Sequence, residues 1–182
     1  APDGFEIARS ISEDFARNCV AVQKNGQIVD MSTRFNQDTR IRLITTRDPE
    51  ALEVLRHSAA HVMAQAVLKI YKDAHLTIGP AVEDGFYYDI DMEPISEEDF
   101  PRIEAEMNKA VKAKQPFKRV EVSKDEALEF YQDEPYKREM ISELEDGTIS
   151  FYKHDDFTDL CRGPHLPHTG FIKAFKLMKV SG

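Results

Sequence analysis

No run of about 18 apolar residues occurs in this chain of 182 residues, so no membrane-spanning helix is expected. The N-terminus, APDGFEIARS, has no basic region followed by an apolar core. No secretory signal is predicted, and a cytoplasmic location is expected. Cysteine is nearly absent. Cys19 and Cys161 are the two, too few for a disulfide framework, and reduced thiols fit better than a single bridge between them. A basic excess is lacking as well: the net charge of −9 argues against a free-standing nucleic-acid binder. There are no internal repeats and no low-complexity tracts. What is present is 41% hydrophobic and 31% charged residues, the balance of a soluble globular protein. The length suits one domain, or one domain with a small companion.

The charge is uneven along the chain. Acid concentrates between Glu83 and Glu106, where Arg102 is the only base. Lys109, Lys112, Lys114, Lys118 and Arg119 form a basic stretch, and Lys173, Lys176 and Lys179 another. Each reads either as a solvated face or as a phosphate-contacting side on an acidic body.

An amphipathic turn or helix is expected over residues 5–18. Residues 20-VAVQKNGQIVD-30 alternate apolar and polar around Asn25-Gly26, both tolerant of the positive φ of a type I′ turn, and predict a β-hairpin. With a strand over 41-IRLITT-46, these make a small β-grasp-like segment over residues 1–46, cut short before Phe5. A long helix opens at Asp48-Pro49-Glu50, with Asp48 as the expected cap. It runs to about Tyr71 with Leu52, Leu55, Val62, Met63, Ala66, Val67 and Ile70 as its apolar stripe. Over residues 47–182, strands are expected at 76–80, 85–92, 117–122, 149–153, 157–160 and 171–180. Helices are expected after the capping boxes 96-SEED-99 and 123-SKDE-126 and over 136–144. The class is α+β, with a long helix on a mainly antiparallel sheet.

The long helix carries 57-HSAAH-61. Residues four apart stack on one helical face, so two imidazoles can converge on one ion or water. The zinc-protease pattern is excluded, because the glutamate that serves as base there is missing. A second pair lies in 161-CRGPHLPHTG-170, where the density of proline and glycine stops both helix and strand. Cys161 and His165, bracketing Gly163-Pro164, form a rigid clip. Together His57, His61, Cys161 and His165 have the count and softness for tetrahedral zinc, and the same set without metal can hold and polarise a water.

The segments 56-RHSAAHVMAQAV-67, 78-IGPAVEDGFYYDID-91, 159-DLCRGPHLPHTG-170 and 171-FIKAFKLMKVSG-182 occur together and in the order seen in bacterial threonyl-tRNA synthetases. The chain resembles the N-terminal, non-ligase part of that family over essentially its whole length. Residues 19–46 resemble the end of the family's ubiquitin-like TGS domain, without its opening hairpin. Nothing resembles the class II ligase motifs, so ATP, Mg and the catalytic-domain zinc would belong to a ligase domain beyond Gly182.

The resemblance implies an editing domain over residues 47–182 that hydrolyses Ser-tRNA(Thr), with the seryl acceptor end as partner. The full-length enzyme is expected to be a homodimer, and the fragment a possible monomer. It carries over His57, His61, Lys137, Asp159, Cys161 and His165 as catalytic residues, with Tyr88, Gly79 and Arg162 as substrate-binding ones. In related alanyl-type editing domains the His/Cys quartet holds zinc, and in the threonyl family it works through water, so the metal stays open. The competing readings are zinc-dependent editing of another aminoacyl-tRNA, of the Ser-tRNA(Ala) type, and a non-catalytic tRNA-binding or structural zinc module.

Overall fold

A computed structural model describes residues 1–182. The first segment folds as expected, with one break. The amphipathic stretch becomes two helices, α1 (Gly4–Ile11) and α2 (Glu13–Asn18), because Ser12 is extended and caps α2 through the Phe15 N–H. Asp3 and Glu6 close a capping box at the start of α1. Then come β1 (Cys19–Lys24), β2 (Gln27–Val29) and β3 (Ile41–Thr45) in an antiparallel sheet of order β2-β1-β3. The β1–β2 turn has φ +50° at Asn25 and +80° at Gly26, the conformation that the Asn-Gly pair predicts. Ala8, Cys19, Val22, Met31 and Phe35 form its core.

The long helix, α3, spans Ala51–Ile70. Two expectations fail at its first turn. Asp48 does not cap it; the carboxylate turns back to accept the Thr45 N–H at 2.7 Å, and the helix starts without a side-chain cap. Leu52 does not belong to the buried stripe and is 48% exposed, while Ala51 and Val54 are buried in its place. The cause is the helix's surroundings. Buried residues lie on most of its circumference, including Ser58, His61 and Gln65, because neighbours pack on several sides.

Those neighbours are sheet fragments and a second helix. β4 (His75–Leu76) pairs with β7 (Ile90–Asp91), and β5 (Ala81–Val82) with β6 (Gly85–Phe86), so the predicted strands at 76–80 and 85–92 are present only as two-residue pieces. A 3-10 turn (Glu97–Asp99) leads into α4 (Phe100–Lys112), with Pro101 inside the first turn where its missing N–H costs nothing. α4 contributes Ile103, Met107 and Ala110 to the core shared with Val62, Ala66 and Val67 of α3.

β8 (Lys118–Glu121), β9 (Ser150–His154) and β10 (Phe157–Leu160) make the second antiparallel sheet, ordered β10-β9-β8. Between β8 and β9 lie α5 (Lys124–Phe130), capped by Ser123, and α6 (Pro135–Ser142). The alternating segment 171–180 is not a strand. After a 3-10 turn (Thr169–Phe171) it has no regular structure, although Ile172 is buried and Phe175 and Leu177 pack on the main core. Alternation marks which side chains face inward, but a strand also needs a free partner edge, and none pairs with it. No helix is long and apolar enough to cross a membrane. Both cysteines are free: Cys19 lies in the N-terminal core and Cys161 beside α3.

Candidate active site

Two segments about a hundred residues apart supply the first wall. α3 presents His57 and His61 from adjacent turns of one face, with ring centroids 5.2 Å apart. The loop after β10 brings Cys161 and His165 against them. Cys161 Sγ lies 3.4 Å from His57 Nε2 and 3.3 Å from His165 Nε2. The donor atoms of all four residues fall within 4.8 Å of one another.

The loop's shape follows from Gly163. Its φ of +78° is left-handed, and a Cβ there would lie 1.9 Å from the Tyr152 phenol oxygen, so only glycine fits. The Gly163 N–H folds back onto Cys161 Sγ at 3.3 Å.

Hydrogen bonds on the outer nitrogens aim these rings. His57 Nδ1 faces the Pro164 carbonyl at 3.4 Å. A carbonyl only accepts, so the proton sits on Nδ1 and the Nε2 lone pair points inward. His165 Nδ1 lies 3.0 Å from Ser58 Oγ, which also receives the Leu166 N–H. Ser58 is one of the residues that spacing did not flag. The signal was there, since Ser58 is the polar residue of an otherwise alanine-rich HSAAH turn.

Burial keeps this wall neutral. It pushes the imidazoles of His61 and His165 well below their ordinary range, and their mutual repulsion with His57 adds to it. His57 is lowered too, again by burial, against the pull of the Pro164 carbonyl and Asp159. The Cys161 thiol is pushed up to about 12 by burial.

The second wall holds charge. Lys137 of α6 is 2% exposed and Asp159 of β10 is 1% exposed. Lys137 Nζ lies 2.8 Å from Asp159 Oδ1, an ion pair whose angle falls outside hydrogen-bond geometry. The same ammonium donates to the Thr77 carbonyl at 2.9 Å and to the Tyr88 phenol oxygen at 3.1 Å, and Tyr88 donates to Asp159 Oδ2 at 2.6 Å. His61 Nε2 stands 3.8 Å from Asp159 Oδ2 and joins the two walls. Gly79 makes room for Tyr88: a Cβ there would sit 2.2 Å from the phenol ring.

Between the walls is a cavity of about 550 Å³ lined by His57, His61, Tyr88, Lys137, Asp159 and Cys161. Gly79 and Arg162 line it as well. His165 sits behind Cys161 and is not a lining residue. Each sequence-selected residue is therefore at or beside one cavity. The three remaining histidines are elsewhere. His75 pairs with Glu134 at 2.7 Å, His154 binds Gln115, and His168 accepts the Gly170 N–H.

This architecture has relatives. Residues 5–45 match the TGS domain, and residues 149–182 match the threonyl and alanyl tRNA synthetase second additional domain. Over residues 149–182 the chain is thus similar to a domain that threonyl and alanyl tRNA synthetases share. Across its whole length it matches the N-terminal region of bacterial threonyl-tRNA synthetase. The threonine–tRNA ligase of Desulforapulum autotrophicum is 64% identical over 181 residues, 100% of this chain and 28% of that protein. That of Desulfatibacillum aliphaticivorans is 62% identical over 179 residues, 98% of this chain and 28% of that protein. That of Desulforamulus reducens is 51% identical over 182 residues, 98% of this chain and 29% of that protein. The chain thus spans less than a third of the length of these relatives.

Proposed function

We propose that the chain is an editing hydrolase that removes serine from mischarged tRNA(Thr), with residues 1–46 as a TGS unit and residues 47–182 as the editing unit. The observation that carries this reading is the convergence of the α3 histidines, the CRGPH loop and the Lys137–Tyr88–Asp159 triangle on one cavity. The need for such a site is chemical. Serine lacks one methyl of threonine, and a pocket sized for threonine discriminates against it by only about 10–200-fold. A second site that admits serine and refuses the extra methyl supplies the rest.

The substrate is an ester, so the reaction is attack of water on an acyl carbonyl. His57 is the best-placed base: its ring is neutral, its tautomer is set by Pro164, and its Nε2 lone pair faces the cavity. Cys161 is a poor nucleophile here, because its thiol keeps its proton at neutral pH. Its place between His57 and His165 suits it to orient a water. Lys137 donates two hydrogen bonds, to the Thr77 carbonyl and the Tyr88 phenol, and is paired with the Asp159 carboxylate, so it acts chiefly as a fixed positive charge near the developing oxyanion. Asp159 holds Lys137 and Tyr88 in place and offers its charge to the seryl ammonium. Tyr88, Gly79 and Arg162, which line the cavity, are assigned to the terminal adenosine and its phosphate.

The quartet also fits zinc. The Sγ–Nε2 separations of 3.4 and 3.3 Å suit edges of a tetrahedral site, and two of the imidazoles have their outer nitrogens tied to Pro164 and Ser58. His57, His61, Cys161 and His165 would hold the ion; bound by all four it would fill a closed tetrahedral site, and it would supply a Lewis acid and a more acidic water only where one of the four gave up its place. The tRNA contact is proposed to be weak and salt-sensitive, through the basic stretches around Lys109–Arg119 and Lys173–Lys179. A deacylation assay with Ser-tRNA(Thr) and Ser-tRNA(Ala), paired with a metal assay on the purified protein, separates the readings. Hydrolysis of the first substrate supports this one. Preference for the second indicates alanyl-type editing. Stoichiometric zinc, unfolding on chelation and no hydrolysis would indicate a structural module.

A further inference from the structure

The CRGPH loop is held from behind by a residue of the first segment. Asp30 follows β2 directly. Its neighbours Val29 and Met31 pack into the N-terminal core, and its own carbonyl accepts the Thr33 N–H at 3.1 Å, which turns the chain. The side chain points the other way and is only 9% exposed. Asp30 Oδ1 accepts the backbone N–H of His165 at 2.9 Å, and Oδ2 accepts the Tyr152 phenol. Tyr152 is itself buried on β9, packs edge-on against the His165 ring with centroids 4.5 Å apart, and presses its hydroxyl against Gly163. One carboxylate therefore grips the loop twice, at the His165 backbone and through the phenol that fills the Gly163 turn. Burying a carboxylate is costly unless its oxygens are satisfied, and here both are. Burial raises the Asp30 pKa, while the bonds from Tyr152 and His165 pull it back down.

We propose that Asp30 is a positioning residue for the site: the N-terminal segment supplies the anchor that sets Cys161 and His165 against the α3 histidines. The segment is then part of the active-site framework, although it contributes no cavity-lining residue. The kinetic consequence rests on the hydrolase reading above; the anchoring of the loop does not.

The test compares three variants of this 182-residue chain: Asp30→Ala, Asp30→Asn and Asp3→Ala. Asp3 caps α1 and its cap hydrogen bonds are with Glu6, so its loss weakens the segment without removing either bond of the Asp30 anchor. Asparagine keeps an acceptor for the His165 N–H and an amide that can donate to the Tyr152 oxygen. Two readouts are taken: kcat and KM for Ser-tRNA(Thr) hydrolysis, and the rate at which iodoacetamide labels Cys161, with buried Cys19 as internal control.

Asp30→Ala should lower kcat by roughly 10- to 100-fold with KM nearly unchanged, the cost of a reacting group displaced by about an ångström. It should also speed Cys161 labelling. Asp30→Asn should recover most of both, and Asp3→Ala should leave both at parental values. Parental Cys161 labelling in Asp30→Ala would overturn the proposal, and so would equal kcat losses in Asp30→Ala and Asp3→Ala. If the parental chain does not hydrolyse Ser-tRNA(Thr), the hydrolase reading fails by itself and the labelling readout alone decides the anchor.

Discussion

On one wall of the cavity His57, His61, Cys161 and His165 are neutral at physiological pH, each held so by burial. On the other wall Lys137 and Asp159 are buried as deeply and carry charge, each compensating the other and both bound to Tyr88. The two walls solve one problem differently. A site that moves a proton near pH 7 needs groups whose proton affinity can be tuned, and desolvated imidazoles provide them. A site that stabilises developing charge needs a fixed field, and a paired ammonium and carboxylate provide that at the expense of two buried ions. The neutral wall can lose a member without leaving a bare charge. The charged wall cannot.

This contrast sets the order of expected effects. Lys137→Ala or Asp159→Ala leaves the partner buried and unpaired, and should cost about 3–5 kcal/mol in denaturant unfolding as well as most of the activity. The double variant Lys137→Met/Asp159→Asn should regain much of the stability and none of the activity. If the single variants unfold like the parent, Lys137 and Asp159 are not the mutually compensating buried pair described. Next is His57→Ala, which should slow Ser-tRNA(Thr) hydrolysis by about 10²–10⁴-fold while changing stability by less than about 1 kcal/mol. An activity loss below about tenfold would remove His57 as the base. Third, iodoacetamide should modify Cys161 slowly near pH 7 and faster only as the pH climbs toward about 12. Fast labelling at pH 7 would reopen a nucleophilic role.

The smallest effect is on stability against pH. His154 is buried and its pKa falls to about 4, chiefly through burial. The unfolded chain takes up that proton near the ordinary histidine value and the folded chain does not. The contribution is therefore complete above about pH 6.5 and is lost as the pH falls toward about 4. His61 and His165 act in the same direction. The melting temperature should decline across that window, and a flat profile would count against neutral burial of these rings.

How much of this was legible depended on how local each signal was. HSAAH and CRGPH each encode a fixed separation within one turn or one stiff loop, so their chemistry could be read directly. The Asn25-Gly26 turn and the capping serines Ser12 and Ser123 belong to the same kind of short-range grammar, but only Ser123 has the glutamate three residues on that makes a capping-box pattern. Lys137 lies on a charged helix and by itself reads as solvated; it is buried only because Asp159, Tyr88 and the Thr77 carbonyl meet it from three other segments. Asp30 closes the predicted hairpin stretch 20–30, and nothing local marks its role, because its partners lie more than a hundred residues away. The same limit explains the segment 171–180. Its alternation was real, yet strand formation depends on an edge elsewhere in the fold.

The central claim is that this cavity hydrolyses a seryl ester on tRNA(Thr) and spares the threonyl one. The direct measurement is the rate of serine release from Ser-tRNA(Thr) beside that of threonine release from Thr-tRNA(Thr), with this chain at equal concentration. The account predicts rapid loss of serine, threonine release near the uncatalysed rate, and loss of the serine activity in His57→Ala. Equal release of both amino acids, or release of neither, would contradict it.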